Sequence, residues 1–131
     1  AFRVVLPEPM PVLYTERVPL ETVFRNLIHN AYKHHNRPEH GTVTITAANV
    51  EEEDGTVTTV QFYVADNGPG IAPEYHERIF KLFQTLKPRD EVEGSGMGLS
   101  VVKKTIESRG GTIHLDSALG AGTTFIFTWP L

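Results

Sequence analysis

A carboxylate at the end of a strand-like stretch has the best position to bind a ligand. Val60, Phe62 and Val64 alternate along VQFYVADNGPGI (60–71), and Asp66 continues that alternation, so its side chain points to the core side. A buried charge requires hydrogen-bond donors from the protein or from a ligand. We therefore expect Asp66 to be the polar anchor of a ligand pocket. The alternative is an aspartate that only opens a turn by bonding to its own backbone.

Two glycine-rich stretches have the composition of ligand-binding loops. The first, Asn67 to Gly70, follows Asp66 directly and allows another molecule to approach the backbone closely. The second, GSGMGL at 94–99, leads into a helical pattern, an arrangement in which backbone N–H groups and the helix dipole bind phosphate. It is neither a Walker loop, which needs a lysine followed by serine or threonine, nor a dinucleotide fingerprint, which needs a preceding strand.

A third group of polar residues shares one face of a predicted helix. Asn30 and Lys33 are three positions apart, and Asn26 lies one turn earlier. An amide oxygen suits Mg²⁺, and a lysine beside it can meet a phosphate. Taken alone, this face is more typical of a solvated helix. Combined with a phosphate-binding turn and an aspartate suited to an amino group, it indicates a nucleotide site.

The remaining patterns predict the elements that must position these residues. Leu20, Val23, Leu27 and Ala31 recur at helical spacing, whereas Asp54-Gly55 is a strong hairpin signal. In chain order we predict strands at 2–6 and 12–14, a helix at 19–35, a hairpin of strands 42–50 and 56–65, a helix at 73–83, a mobile loop at 84–94, a helix at 97–109 and strands at 112–117 and 123–129. This order predicts an α+β fold, a two-layer sandwich with helices on one face of a mixed, mostly antiparallel sheet.

Length and composition exclude several classes of protein. The 131 residues fit a single domain at 1–131, and a net charge of -4 argues against general nucleic-acid binding. The absence of cysteine excludes disulfides, thiol catalysis and cysteine-ligated metals. No apolar run reaches the roughly 20 residues that span a bilayer. Because the chain opens at Ala1 directly into a strand-like pattern, we expect a domain excised from a longer protein.

Five motifs together resemble those of one family. NLIHNAYKHH (26–35), VADNGPGIAP (64–73), IFKLFQTL (79–86), GSGMGLSVVKK (94–104) and GAGTTFIF (120–127) stand in the order of the N box, first glycine box, F box, second glycine box and last glycine box of sensor histidine kinases. The chain resembles their catalytic ATP-binding domain over about residues 10 to 130. That domain belongs to the wider superfamily that includes DNA gyrase B, MutL and the ninety-kilodalton chaperone.

The resemblance implies a role for each matching residue. It makes Asn30 the Mg²⁺ ligand, Lys33 a phosphate contact and Asn26 a further polar contact, with Asn30 and Lys33 as the catalytic pair. Asp66 resembles the aspartate that accepts a hydrogen bond from the adenine amino group, so ATP is expected to be preferred over GTP by about 1–3 kcal/mol. The other implied nucleotide contacts are Gly68, Gly70, Ile71, Phe83, Lys87, Arg89, Gly94, Ser95, Gly96, Met97, Gly98, Leu99 and Thr123.

Within that family, the resemblance implies a reaction and partners. The chain is expected to bind ATP and Mg²⁺ and to transfer the γ-phosphoryl group to a histidine on a separate dimerisation domain, for relay to a response regulator, in the cytoplasm. The fragment is expected to be a monomer and its parent a homodimer. His76-Glu77 continues into the F box and is not expected to be the acceptor, and His29, His34, His35, His40 and His114 are expected to be solvated or core residues rather than a metal site.

One departure separates the chain from the hydrolysing branches. Those members place a glutamate one helical turn before the Mg²⁺ asparagine as general base for water, and here that position is Asn26. Slow hydrolysis is therefore expected. The alternatives are a nucleotide-binding regulatory module without transfer activity and an ATPase of the gyrase type.

Overall fold

A five-stranded mixed sheet forms one layer of the structure. In this computed structural model the described residues are 1–11, 13, 15–76, 78–80 and 95–131, with residues 95–97 described by their backbone. The strands are β1 (Arg3–Val5), β2 (Thr42–Glu51), β3 (Val57–Asp66), β4 (Ile113–Ser117) and β5 (Thr123–Pro130). Their order across the sheet is β1-β2-β3-β5-β4. β1 runs parallel to β2, and the other neighbouring strands are antiparallel.

Two α-helices cover one face of this sheet. α1 (Arg17–Lys33) buries Val23, Leu27 and Ala31, which recur every four residues along one stripe. α2 (Ser95–Ser108) buries Leu99, Val102 and Ile106 in the same way. The stripes pack on the buried face of β2, β3 and β5, so the predicted α+β sandwich is confirmed. Among the described residues, no helix combines the length and apolarity needed to cross a membrane.

Aromatic side chains fill the interface between the layers. Phe62 of β3 stacks on Phe127 of β5 with 5.1 Å between ring centroids, and Phe24 of α1 meets Phe62 edge-on at 5.1 Å. Trp129 is fully buried, and its indole N–H donates to Thr15 Oγ1 at 2.9 Å. This contact ties the residues before α1 to the last strand, because a buried indole N–H needs an acceptor.

Some of the predicted elements require correction. α1 begins at Arg17 rather than 19, with Pro19 still in the first turn, where its missing N–H costs no hydrogen bond. The helix predicted at 73–83 is wrong over its described part, which forms two 3₁₀ turns, Pro73–Tyr75 and Arg78–Phe80. Only Ile79 and Phe80 are buried there, and such a short apolar pair cannot favour a longer helix. A third 3₁₀ turn, Pro38–His40, precedes β2.

Other predictions fall partly or wholly outside the described residues. The predicted mobile loop at 84–94 lies outside them, as do Val12, Tyr14, Glu77 and 81–83. Leu13, from the second predicted strand, is described and is not in a strand. α2 begins at Ser95, two residues before the predicted start, so most of the second glycine stretch lies within the first turns of the helix.

Candidate functional site

Asp66 is the last residue of β3 and lies on the face of the sheet that the helices cover. In the register of the sheet it is paired with Val43 of β2 and with Thr123 of β5. Its Oδ1 accepts a hydrogen bond from the Gly68 N–H at 2.8 Å. The carboxylate therefore opens the turn, as in the alternative reading of the sequence, while it also faces the core side. The two roles coexist because a carboxylate has acceptor capacity at both oxygens.

The surroundings of Asp66 oppose its ionisation. Burial raises the pKa of its carboxyl group, because the charged form loses solvation. The backbone N–H groups of Gly68 and Thr123, and the positive charge that His35 carries when its ring is protonated, lower the pKa and are the smaller effects. Any further hydrogen-bond donor would stabilise the charged form of this desolvated carboxylate. A ligand amino group placed here would supply one.

Ser117 joins the loop after Asp66 to the hairpin of β4 and β5. Its Oγ accepts from the Ile71 N–H at 2.8 Å and donates to the Gly122 carbonyl at 2.8 Å. Because its single hydrogen is used there, the Thr123 hydroxyl, 2.9 Å away, donates to Ser117 and keeps its own lone pairs available. Thr123 is 5% exposed. Sequence reasoning missed Ser117, because its contact with Ile71 and its place opposite Thr123 are set by the pairing of the strands.

Two glycines allow the loop and the hairpin to approach each other. Gly70 has φ +79°, and a Cβ there would lie 2.0 Å from the Ala118 carbonyl oxygen. Gly122 has φ +77°, and a Cβ there would lie 2.2 Å from the Asp66 carbonyl oxygen. Only glycine fits both the backbone angle and the space. The close packing of backbone on backbone sets the position of the Asp66 end of β3.

Asn67 anchors the other side of the loop. Its Oδ1 accepts from the Thr42 N–H at 2.9 Å and lies 2.9 Å from His35 Nε2, while its Nδ2 donates to the His40 carbonyl at 3.1 Å. His35 Nδ1 in turn accepts from the Arg37 N–H at 2.8 Å. Sequence reasoning placed Asn67 in the ligand-binding loop without naming its side-chain partners and gave His35 no role at the site, because their contact depends on how α1 ends over the sheet.

The polar face of α1 runs between the two ends of the site. Asn26 Nδ2 donates to the Thr22 carbonyl at 2.7 Å, and its Oδ1 would lie 3.5 Å from a Cβ at Gly98. Asn30 and Lys33 are half-buried and follow on the same face. From Asn26 to Lys33 the helix rises about 10 Å. One end of this face therefore meets the start of α2, and the other leads to His35 beside the Asp66 loop.

The start of α2 supplies backbone donors. Ser95, Gly96 and Met97 open the first turn of α2, and the N–H groups at the start of an α-helix have no acceptor within the helix. Leu99 is 8% exposed and belongs to the core, so any contact from Leu99 to an anion must come from its backbone. Gly98 faces Asn26 with ordinary spacing for a Cβ, so packing against the described residues does not require a glycine there.

The other sequence-predicted residues are placed as follows. Ile71 packs against the core, and His76 Nε2 lies 2.9 Å from the Ile71 carbonyl oxygen. Phe80 of the F box is 9% exposed and packs edge-on against Phe125 at 6.0 Å. The Nζ of Lys103 lies 5.6 Å from the centroid of the Phe80 ring. Phe83, Lys87, Arg89 and Gly94 lie outside the described residues.

The donor set fits a cation that arrives with a phosphate ligand. Within the described ranges, no group of three or more His, Cys, Asp or Glu side chains that could hold a metal is present. Asn30 offers one neutral amide oxygen beside a helix that supplies N–H donors to anions. Mg²⁺ is commonly held by few protein oxygens together with phosphates and water.

A cavity of about 610 Å³ lies elsewhere, between the residues before α1 and the first turns of that helix. It is lined mainly by Met10, Leu13, Leu20, Phe24 and Phe62. None of the residues singled out by the motifs lines it. The cavity is therefore separate from the site around Asp66.

Comparisons with known proteins show the family of this chain. Residues 15–131 match the profile of the histidine kinase-, DNA gyrase B- and HSP90-like ATPases. Cyanobacterial phytochrome A from Nostoc sp. is 42% identical over 124 residues, which are 95% of this chain and 15% of that protein. The chain thus spans a small part of that relative.

Solved structures give the same result. The catalytic domain of histidine kinase ThkA has a TM-score of 0.74 and 31% identity, over 98% of this chain and 77% of that one. Full-length ShkA in complex with AMPPNP has a TM-score of 0.75 and 31% identity, over 98% of this chain and 25% of that one. This chain belongs to the family of histidine kinase-, DNA gyrase B- and HSP90-like ATPases and, within it, to the histidine kinase catalytic domains.

Proposed function

We propose that residues 1–131 are one ATP-binding catalytic domain of a two-component sensor histidine kinase. The observation that carries the proposal is the desolvated Asp66 carboxylate at one end of the polar face of α1, with the N–H donors of α2 at the other. An adenine nucleotide has a donor amino group and an anionic tail at its two ends. The relative ShkA was solved with AMPPNP, which supports a nucleotide in this fold.

The base is selected by the direction of one hydrogen bond. The adenine amino group donates, and the acceptor capacity that Gly68 leaves on Asp66 receives that bond. Guanine presents a carbonyl at the equivalent place, so two acceptors would face each other. ATP is then preferred over GTP by about 1–3 kcal/mol. Thr123, buried beside Asp66 with lone pairs available, closes this side of the pocket.

The phosphates lie between α1 and the start of α2. Backbone N–H groups of the first turn of α2 bind the phosphate oxygens, and Lys33 adds a positive charge from α1. Asn30 would hold Mg²⁺ through its amide oxygen, and the cation would offset part of the negative charge of the triphosphate. The protein's own contribution is to hold the nucleotide in one orientation, since phosphoryl transfer needs little covalent help.

The acceptor of the γ-phosphoryl group lies outside this chain. We place it on a histidine of a separate helical dimerisation domain of the same protein, from which a response regulator takes the phosphoryl group. Bond formation to the histidine nitrogen accompanies cleavage of the bond between the γ-phosphorus and the bridging oxygen, so ADP leaves. This chain alone is then a monomer in the cytoplasm, and its parent a homodimer.

Transfer in trans tests this proposal. The domain is mixed with a separately expressed dimerisation domain and ATP labelled at the γ-phosphate. Acid-labile, alkali-stable label on the acceptor is expected, and at an ATP concentration near the dissociation constant it should fall strongly when Asp66 is changed to Asn. If several competent acceptor domains stay unlabelled while ATP binds, the domain is a regulatory module and the transfer function is wrong.

Hydrolysis is expected to stay slow in the absence of an acceptor. Asn26 cannot act as a general base, and its amide group is already bonded to the Thr22 carbonyl. Replacing it by Glu, as in Asn26→Glu, should raise steady phosphate release, whereas Asn26→Gln should not. Rapid phosphate release by the unchanged domain would instead indicate an ATPase of the gyrase type.

A further inference from the structure

A histidine just beyond the last turn of α1 links that helix to the loop after Asp66. His35 lies two residues after Lys33, and its Nε2 is 2.9 Å from Asn67 Oδ1. Asn67 follows Asp66 directly in the chain. The contact therefore links the helix that carries Asn30 and Lys33 to the loop that carries the carboxylate.

The hydrogen bonds around His35 define its tautomer. Its Nδ1 accepts from the Arg37 N–H at 2.8 Å, so that nitrogen carries no hydrogen. In the neutral ring the hydrogen is then on Nε2, which donates to Asn67 Oδ1. Nδ1 is thus the acceptor and Nε2 the donor of the ring. The ring is also held by Phe2 of the segment before β1, edge-on with 6.3 Å between centroids.

Asn67 connects His35 to the neighbouring backbone by hydrogen bonds. Its side chain also bonds to the Thr42 N–H and the His40 carbonyl, and its own N–H donates to the Thr42 carbonyl at 3.3 Å. Gly68, the next residue, has His35 Cδ2 3.6 Å from the position of a Cβ. The Gly68 N–H is the donor that orients the Asp66 carboxylate. His35 therefore acts on the carboxylate through Asn67 and Gly68.

We propose that His35 is a positioning residue for adenine recognition, which holds the Asp66–Gly68 turn at a fixed place relative to the phosphate-binding face of α1. The proposal deepens the proposed function and rests on it. Loss of the His35 to Asn67 bond should weaken the base contact without changing the phosphate contacts. A purely structural role would weaken both or lower only the stability.

Two substitutions of His35 distinguish the roles of its two ring nitrogens. In His35→Gln the side-chain amide can still donate to Asn67, whereas in His35→Asn the shorter amide can replace only Nδ1. ATP affinity is measured with Mg²⁺ by calorimetry, and inorganic tripolyphosphate, which has no base, is measured by competition with ATP. His35→Asn should weaken ATP about threefold to tenfold and leave tripolyphosphate unchanged, and His35→Gln should stay within about twofold of wild type. His29→Asn, on the exposed side of α1, is the matched control.

A second variant keeps the test decisive if His35→Asn does not fold. Asn67→Ser removes the shared partner and should weaken ATP at least as much, and adding His35→Asn to it should cost nothing further. ATP affinity equal to wild type in either folded variant overturns the proposal, as does an equal loss for tripolyphosphate. Asp66→Asn separates the two claims. If it weakens ATP while His35→Asn does not, only the role of His35 is wrong, and if wild type does not bind ATP, the proposed function is wrong.

Discussion

At the scale of single residues, Asp66 opens the turn after β3 and also faces the core side of the sheet, so the observed turn is compatible with the proposed ligand contact. Strand alternation predicted the direction of its side chain, and the following glycine loop predicted a turn. The raised pKa could not be predicted, because it depends on burial by elements distant in the chain. The contacts of Ser117 with Ile71 and of His35 with Asn67 could not be predicted either, because these partners lie 46 and 32 positions away in sequence.

Asp66 should leave a signature in the pH dependence of stability. Its folded-state pKa is raised above the ordinary value of 3.8, so the folded protein binds this proton more tightly than the unfolded chain does. Stability from this group is therefore present at low pH and lost as pH rises through the window above 3.8. In chemical denaturation without nucleotide, the unfolding free energy of Asp66→Asn minus that of wild type should increase with pH across this window and then level off.

Asp54 provides a control of opposite sign. It lies in the exposed hairpin turn between β2 and β3, and hydrogen bonds from Thr56 lower its pKa. Its contribution to stability is present above 3.8 and lost as pH falls through the lowered pKa. The corresponding difference for Asp54→Asn should thus decrease with rising pH, below the window of Asp66. A difference for Asp66→Asn that does not vary with pH would contradict the assignment of a desolvated carboxylate.

Gly70 should tolerate no side chain. Its positive φ and the Ala118 carbonyl oxygen 2.0 Å from a Cβ both oppose alanine. Gly70→Ala should lower the unfolding free energy by at least about 3 kcal/mol, because backbone rather than a flexible side chain must move. Gly55→Ala is the matched control, since φ is +85° there and nothing lies within 4 Å. It should cost only about 1 kcal/mol, and equal losses for the two variants would refute the close packing of loop and hairpin.

At the scale of elements, α1 shows which part of a helix the sequence predicts well. The spacing of its apolar residues predicted the buried stripe, because burial against a sheet selects one face. What its polar face meets could not be predicted, since that depends on where α2 begins. The predicted helix at 73–83 failed for a related reason. A proline start and two buried residues do not specify whether a turn continues as an α-helix.

Asn30 should be needed for the metal effect on binding and not for folding. Among the described residues, no hydrogen bond of its side chain is observed, so Asn30→Ala should change the unfolding free energy by less than about 0.5 kcal/mol. ATP affinity is compared with Mg²⁺ and with EDTA. Wild type and the exposed control His29→Ala should lose affinity when Mg²⁺ is removed, whereas Asn30→Ala should show the weaker affinity under both conditions. An Asn30→Ala variant that still responds to Mg²⁺ as wild type does would remove Asn30 from the metal site.

At the scale of the whole molecule, the site is a product of sheet order. The fold class followed from the sequence of helical and strand patterns, and it was confirmed. The placement of β5 between β3 and β4 was not predicted, yet it brings Thr123 and Ser117 beside Asp66. Long-range pairing of this kind leaves no local pattern in the sequence. Only the resemblance to a family indicated Thr123 beforehand.

One calorimetric titration tests the central claim most directly. The domain is titrated with a non-hydrolysable ATP analogue and Mg²⁺, with the corresponding GTP analogue, and as the Asp66→Asn variant. Because Asp66 Oδ1 is bonded to Gly68, the amide nitrogen of the variant would face the adenine amino group, donor against donor. Micromolar or tighter binding of the ATP analogue is expected, with a loss of about 1–3 kcal/mol for GTP and for the variant. Equal affinity for ATP and GTP, or an unchanged affinity in Asp66→Asn, would contradict adenine recognition by Asp66.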